Sequence, residues 1–543
     1  MTMRKTLLLA FSLANLCFSS VWRVVLSPQS LSFLYYWKQS PGYAALAALA
    51  LNVFLLTIIF FLAWTVIHRY GSPSFTVIAK GAFLFILFRA LNNLRIQFDQ
   101  LGTRNLRAVL GHEGYILAGI FLSAAFLFLL VRFGLNRVAR SAGGVVLFLS
   151  PFGFIGFAQA TWIAVRYGRP AGEVRKPAPA FTSEPVSRPR VVWMIFDEMD
   201  ERLAFAERPA SLNLPEFDRF RAEATIATNA FPPAGHTSQS IPALITGELI
   251  SAVKPVGPAE LMLSIPGRNI TAGWSTQPNV FSETRAMGLN TALVGWYHPY
   301  CRVIGDSLTK CYWEAASQRL DTSKLSVLKT LIQQERELTD LAPLPSRWRP
   351  KPYLKTLETD RAGHLTDYNR LVKEAKSVSA DRQFALTLIH LPVPHPPDIY
   401  NRAEGRFDSS GDDSYLDCLA LADRTFGDLR RAMEAAGVWD DTTVVISSDH
   451  WWRAEMWRDK TFWSEEDAVI AGAKSDHRVP FLVKLSGQKG GSVYDSPVNT
   501  VLTHDLILDV LSGKISNANE VPAWLALNRT IGESPYRTVE DAE

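Results

Sequence analysis

The chain has 543 residues, 48% of them hydrophobic, and a formal net charge of +4. That charge is a cancellation: residues 1–170 hold 15 Lys and Arg against two acids, Asp99 and Glu113, a net +13, and the remainder carries −9. The split, with a largely apolar first third, excludes a single soluble domain, a disordered chain and a simple secreted protein.

A helix needs about 20 apolar residues to cross a bilayer. Five stretches approach that length: 6–26, 44–67, 75–91, 115–131 and 143–165. Arg4 and Lys5 give the first the look of a signal peptide. No small-residue cleavage site follows it cleanly and four more spans come after, so it is expected to stay on the protein. Tyr35, Tyr36, Trp37 and Trp162 stand where an interfacial aromatic belt would lie. Arg4 and Lys5, with Arg132, Arg137 and Arg140 between spans four and five, put the N-terminus in the cytoplasm and the C-terminal domain outside it. Arg89, Arg95, Arg104 and Arg107 would then sit on the outer side. They read either as holders of anionic lipid headgroups or as a solvated loop whose arginines snorkel. Residues 1–166 are thus expected to be a membrane domain of five helices.

Between 167 and 190 come Pro170, Pro177, Pro179, Pro185 and Pro189 with little apolar content. This is a stiff exposed linker or a strap along the next domain. From 191 to 543 short apolar runs alternate with amphipathic stretches. The runs 191–196, 383–389 and 442–447 read as strands buried on both faces. Residues 414–436 read as an amphipathic helix. Strands alternating with helices predict an α/β/α doubly wound, mostly parallel sheet, whose chemistry collects at the carboxyl ends of its strands.

Those ends carry acids and histidines. The first strand ends in Asp197-Glu198, the third in Ser448-Asp449-His450, and the second in His390, with His395 five residues later. His477 precedes the apolar run 479–483. Taken singly, each acid is an ordinary helix cap and each histidine an ordinary hydrogen-bonded group. Jointly they are the oxygen and nitrogen donors of a divalent metal site for zinc, manganese or magnesium. In the segment 231–247, FPPAGHTSQSIPALITG, Thr237 and Ser238 fall at the start of a helix. That end favours an anion, though taken alone a plain N-cap explains them better.

This segment resembles the sulfatase nucleophile motif Cys-x-Pro-Ser-Arg-x-x-Leu-x-Thr-Gly. Leu244, Thr246 and Gly247 match its close and Ser240 its serine. Thr237, Gln239 and Ile241 replace the Cys, Pro and Arg. Without the cysteine that is oxidised to formylglycine, a sulfatase of that mechanism is not expected. A threonine nucleophile is similar to the membrane branch of the alkaline phosphatase superfamily, the lipoteichoic acid synthases and phosphoethanolamine transferases. Five spans followed by an extracytoplasmic domain match that branch as well. The resemblance implies Asp197, Thr237, Asp449 and His450 as metal ligands and Thr237 as nucleophile. The sequence departs from the family at Trp451-Trp452, where a glycine usually follows the Asp-His pair. It also has four cysteines where phosphoethanolamine transferases tend to carry several disulfides. Cys301 and Cys311 flank a short loop and are expected to be bridged, with two free thiols as the alternative.

The implied activity is transfer of a phosphoglycerol or phosphoethanolamine headgroup from a membrane phospholipid to a glycan or lipid acceptor, through phospho-Thr237. His395 and His477 would bind the phosphoryl group, protonate the leaving oxygen or hold a second metal. His236, Glu198 and His390 are candidate substrate or supporting residues, and His298 and His364 have no evident role. The alternatives are a membrane-anchored phosphodiesterase or phosphatase with the same site, and an inactive scaffold or sensor. The expected location is a bacterial inner membrane, with the catalytic domain on the periplasmic side. The C-terminal domain is acidic, which speaks against a nucleic-acid partner.

Overall fold

The computed structural model describes residues 2–26, 35–36, 43–96, 103–167, 174–182, 189–315, 326–335, 338, 357–407, 413–458, 462–472 and 475–528. The chain divides into two compact units. One holds Met1–Phe33, Gln39–Ala171 and Leu320–Thr356, the other Leu34–Lys38, Gly172–Arg319 and Leu357–Glu543. Each unit therefore takes in a short piece of chain from the sequence span of the other.

The first unit is helical: α1 (Met3–Cys17), α2 (Ser19–Leu26), α3 (Tyr43–Tyr70), α4 (Pro73–Ile96), α5 (Thr103–Phe133), α6 (Leu135–Phe148) and α7 (Ser150–Tyr167). Among the described residues, four helical stretches are long and apolar enough to cross a membrane: Tyr43–Tyr70, Pro73–Arg95, Glu113–Phe133 and Leu135–Val165. The expected first span is helical too, but it breaks at Phe18 into pieces of 15 and 8 residues. Each piece alone is too short to cross a hydrocarbon core of about 30 Å, but residues 3–26 taken together reach that length, and Leu135–Val165 runs through a similar break at Leu149. Arg137 and Arg140, expected in a loop, lie within α6. The side chains of Arg104 and Arg107 lie outside the described residues.

A helix at Val327–Glu335 also belongs to this unit. Its Gln334 meets Asn52 of α3: Asn52 Nδ2 donates to Gln334 Oε1 at 3.2 Å, and Gln334 Nε2 donates to the Ala45 carbonyl at 3.0 Å. Leu338 packs against the apolar residues of α1, α3 and α4.

The second unit is built on an eight-stranded sheet. Its strands are β1 (Val191–Phe196), β2 (Thr225–Ala227), β3 (Thr291–Tyr297), β4 (Lys310–Ala315), β5 (Leu386–Leu391), β6 (Thr443–Ser447), β7 (Phe481–Lys484) and β8 (Ser492–Tyr494), in the order β8-β2-β7-β6-β1-β5-β3-β4. The run from β6 to β4 is parallel. β7 runs antiparallel to both of its neighbours. In β1, β5, β6 and β7 every residue is buried, because helices cover both faces and leave no solvent-facing side. One apolar layer gathers Trp193, Ile195 and α8 (Thr237–Thr246). The other gathers Val192, Met194 and two long helices, α9 (Leu357–Ser379) and α10 (Tyr415–Ala435). Ser414 caps α10 with a reciprocal Asp417 bond, which sets its start where the sequence pattern put it.

Two expectations resolve here. The proline-rich segment is a strap over its described part, 174–182: the Arg175 and Ala178 amides bond to the carbonyls of Cys301 and Leu308, and Arg285 covers the Phe181 ring. Cys301 and Cys311 are bridged. A third is corrected. Tyr35 and Tyr36 are not an interfacial belt: both lie in the second unit, where Tyr35 is fully buried beside Trp274 and Tyr300. A tyrosine with one polar atom can be buried whole when that atom finds a partner, and this one does. Trp37 lies outside the described residues.

Candidate active site

Three strand ends and one helix start converge. β1 delivers Asp197 and Glu198, β6 delivers Asp449 and His450, β5 delivers His390, and α8 begins with Thr237. His236 occupies the N-cap position of α8 and makes no side-chain cap. Thr237 is thus a first-turn residue rather than a cap. Its hydroxyl turns to the sheet, 3.1 Å from His450 Nε2 and 3.5 Å from Asp197 Oδ2. The rest of the motif holds this helix in place. Ser240 Oγ bonds back to the Ala234 carbonyl at 2.7 Å, Leu244 is fully buried, and Gly247 ends the helix at φ 71°. A Cβ on Gly247 would stand 2.8 Å from the His504 ring.

Asp197, Asp449 and His450 form one group whose ligand atoms lie within 4.8 Å of one another, and Asp197, Glu198 and His395 form a second. All but His395 are fully buried. His450 Nε2 is 3.3 Å from Asp449 Oδ2 and 3.7 Å from Asp197 Oδ1. His390 Nε2 is 3.2 Å from Asp197 Oδ2, and its Nδ1 is 2.8 Å from the Tyr300 hydroxyl. Among the described residues, Asp197 Oδ1, Asp449 Oδ2 and Glu198 Oε2 have no hydrogen-bond partner. Three carboxylates with orphaned, buried oxygens are costly to keep charged unless a cation meets them. Hard oxygen donors joined by imidazole nitrogen fit a divalent ion.

Burial alone would raise the Glu198 carboxyl, but Arg453, His395 and His450 outweigh it and hold it below its ordinary range. Asp449 is likewise held down by His450 and His390 against its own burial. Burial pushes His298 down to about 3, so it is neutral. Glu198 adopts φ 66° and Tyr297, at the end of β3, φ 78°, the left-handed region where strain clusters at functional sites.

The remaining candidates spread around this centre. His395 Nε2 is 3.6 Å from Glu198 Oε2, and its ring lies edge-on between Trp296 and Trp457. His236 is exposed and its Nδ1 is 2.8 Å from Arg453 Nη1. His477 enters neither ligand group. It lies flat on Trp451, ring centroids 4.0 Å apart. Trp451 fills the space beside Gly235 where a side chain would otherwise sit.

Three contributors went unread in the sequence. Arg453 bonds Glu198 Oε1 through its backbone N at 2.9 Å and its Nε at 3.3 Å. Tyr300 meets His390. His298 Nε2 lies 3.2 Å from the Thr237 carbonyl. Arg453 had one available signal, its position three residues after His450. The other two had none, since nothing in a sequence pairs residues 60 to 90 positions apart.

A family model described as Sulfatase matches residues 189–513. Among curated proteins none matches the chain. Similar solved structures include a protein of the alkaline phosphatase superfamily from Vibrio parahaemolyticus (14% identity, 62% of this chain and 68% of that one, TM-score 0.37). They also include the PsFucS1 sulfatase from Pseudoalteromonas sp. (15%, 64% and 76%, TM-score 0.40). A third is the phosphonate monoester hydrolase of Agrobacterium radiobacter (14%, 60% and 74%, TM-score 0.35).

Proposed function

The chain belongs to the sulfatase family, and from that premise we propose that it is a membrane-bound, metal-dependent phosphotransferase. It moves a phospho-headgroup from a phospholipid to a glycan or lipid acceptor. The observation that carries this reading is the Thr237 hydroxyl, 4% exposed residue and all, turned onto Asp197 and His450 where the formylglycine sulfatases hold an oxidised cysteine.

Asp197, Asp449 and His450 would hold one divalent cation with the Thr237 oxygen, and Glu198 and His395 would join Asp197 around a second. Such an ion lowers the pKa of a hydroxyl and neutralises phosphoryl charge. Thr237 Oγ1 attacks phosphorus as its proton passes to water in the site. A Thr237 O–P bond forms and the P–O bond to diacylglycerol breaks. His395 gives the proton that the diacylglycerol oxygen needs. The first-turn amides of α8 and the Arg453 guanidinium favour the anionic phosphoryl group. The acceptor hydroxyl then attacks phospho-Thr237 and restores the free hydroxyl. His390 holds the Asp197 carboxylate from behind, and Tyr300 holds His390.

The four membrane-crossing helices suit a donor that lives in the bilayer, and the bridged cysteines suit an oxidising compartment. We propose that the stretch 3–26 crosses the bilayer as well, so that a cytoplasmic N-terminus and five crossings put the catalytic unit on the periplasmic side of a bacterial inner membrane. Purified protein given radiolabelled phosphatidylglycerol or phosphatidylethanolamine should release diacylglycerol. Label should appear on Thr237 and then on an added glycan acceptor. Release of a water-soluble headgroup without transfer to any acceptor would make it a hydrolase. Full turnover by Thr237→Ala with metal bound would overturn the nucleophile.

A further inference from the structure

The nucleophile is held from behind by a residue that comes from the membrane third of the sequence. Tyr35 belongs to the five-residue piece Leu34–Lys38 that lies in the catalytic unit. It is fully buried, and its hydroxyl is 3.0 Å from His298 Nδ1. The other ring nitrogen of His298 is 3.2 Å from the backbone carbonyl of Thr237. His298 is fully buried as well.

The direction of this chain follows from its chemistry. A carbonyl only accepts, so His298 Nε2 carries the proton and donates to Thr237. A buried imidazole without an anionic partner stays neutral, so Nδ1 has a lone pair and no proton. The Tyr35 hydroxyl must then be the donor. It fixes both the tautomer and the ring orientation of His298, as an outer partner fixes a ligating histidine. The ring is also packed on all sides by Trp274, Tyr297 and Tyr300. Tyr36 packs on Tyr297, with ring centroids 5.1 Å apart.

We propose that Tyr35 is a positioning residue of the active site. Acting through His298, it holds the first turn of α8 so that the Thr237 hydroxyl faces Asp197 and His450. The proposal rests on the reading of Thr237 as the nucleophile. It makes the site incomplete without a segment encoded between the first apolar stretch and α3.

The test uses the full-length protein in detergent and the soluble phosphodiester bis(4-nitrophenyl) phosphate. Tyr35→Phe keeps the ring and removes only the hydroxyl. A lost buried hydrogen bond should lower kcat about five- to tenfold, with KM unchanged and a small drop in melting temperature from the unpaired His298 Nδ1. His298→Ala should lower kcat further, and adding Tyr35→Phe to it should cost nothing more, because the two act in series. Where His298→Ala does not fold, His298→Phe, which keeps a ring and cannot donate to the Thr237 carbonyl, takes its place in the cycle. Amide exchange across 237–241 should quicken in Tyr35→Phe while α10 is unchanged, a readout that needs no turnover. Wild-type kcat together with unchanged exchange in Tyr35→Phe would overturn the proposal, and so would effects of the two substitutions that simply multiply. Turnover surviving in Thr237→Ala would instead overturn the functional reading beneath it.

Discussion

Arg453 and Glu198 form a buried pair: the Glu198 Oε1 atom accepts from both the backbone N and the Nε of Arg453, at 2.9 and 3.3 Å, and from Trp457 Nε1 at 2.9 Å. Glu198 is fully buried and, among the described residues, its other oxygen has no hydrogen-bond partner. Removing one member of such a pair strands a charge. Arg453→Met should cost about 3 kcal/mol of stability. Glu198→Gln added in the same background should recover part of that loss, because it removes the stranded charge. Thermal denaturation of the two variants checks this, and two losses that add would contradict it.

The orphaned oxygens of Asp197, Asp449 and Glu198 lead to a prediction for chelation. An ion that binds only the folded chain stabilises it by about 2–3 kcal/mol at a hundredfold excess over its dissociation constant. Treatment with a chelator should lower the melting temperature, and zinc or manganese should restore it. In Asp449→Asn the shift should shrink, and metal analysis should show less bound ion. A melting temperature indifferent to chelator and metal would count against the site.

Much of this fold was readable because burial on both faces leaves a plain mark. Val191–Phe196 is an unbroken apolar run and is a strand over those same residues, and Ser414 begins α10 because Asp417 completes its cap. Asp197, Asp449 and His450 were legible as donors at strand ends, whereas Thr237 joined them only through the resemblance to the sulfatase nucleophile motif. Direction was not readable. The run 479–483 looks like those of the parallel strands, yet β7, which it forms, is antiparallel, since an apolar run carries no record of its direction. Contacts between distant positions were not readable either. Tyr35 looks like a membrane-interface residue because aromatic composition is the same in a belt and in a core. His477 looked like a member of the phosphoryl site, and the fold lays it on Trp451.

Asp423 supplies a pH dependence away from the metal ligands. It lies on α10 and its Oδ1 accepts from the Phe217 amide at 2.7 Å. Burial raises its carboxyl to about 7. In the unfolded chain it titrates near 4. Between those values the folded state holds a proton that the unfolded state has lost, so stability falls as pH rises from about 4 to 7 and is level above. Asp423→Asn keeps the acceptor and removes the titration. It should melt higher than the parent at pH 8, by about 1–3 kcal/mol in stability, and alike at pH 4. Equal melting temperatures at both pH values would refute the assignment.

The helical unit holds one polar contact that hydropathy gave no reason to expect. Asn52 sits in the middle of the apolar face of α3, 2% exposed, and donates to the Leu331 carbonyl and to Gln334 Oε1, each at 3.2 Å. Gln334, 7% exposed, returns a bond to the Ala45 carbonyl at 3.0 Å. Neither side chain has water to fall back on if its partner is lost, so each single truncation leaves an unsatisfied amide. Hydrogen bonds between helices in apolar surroundings contribute about 0.6–1.7 kcal/mol. Asn52→Ala and Gln334→Ala should each lower stability by about that amount. The double change Asn52→Leu with Gln334→Met fills the same space with apolar atoms and should come close to the parent, because both ends of the bond are gone together. Melting of the four proteins in one detergent decides it. A double variant weaker than the sum of the singles would show that the pair fixes where the Val327–Glu335 helix sits on α3, beyond what its hydrogen bonds supply.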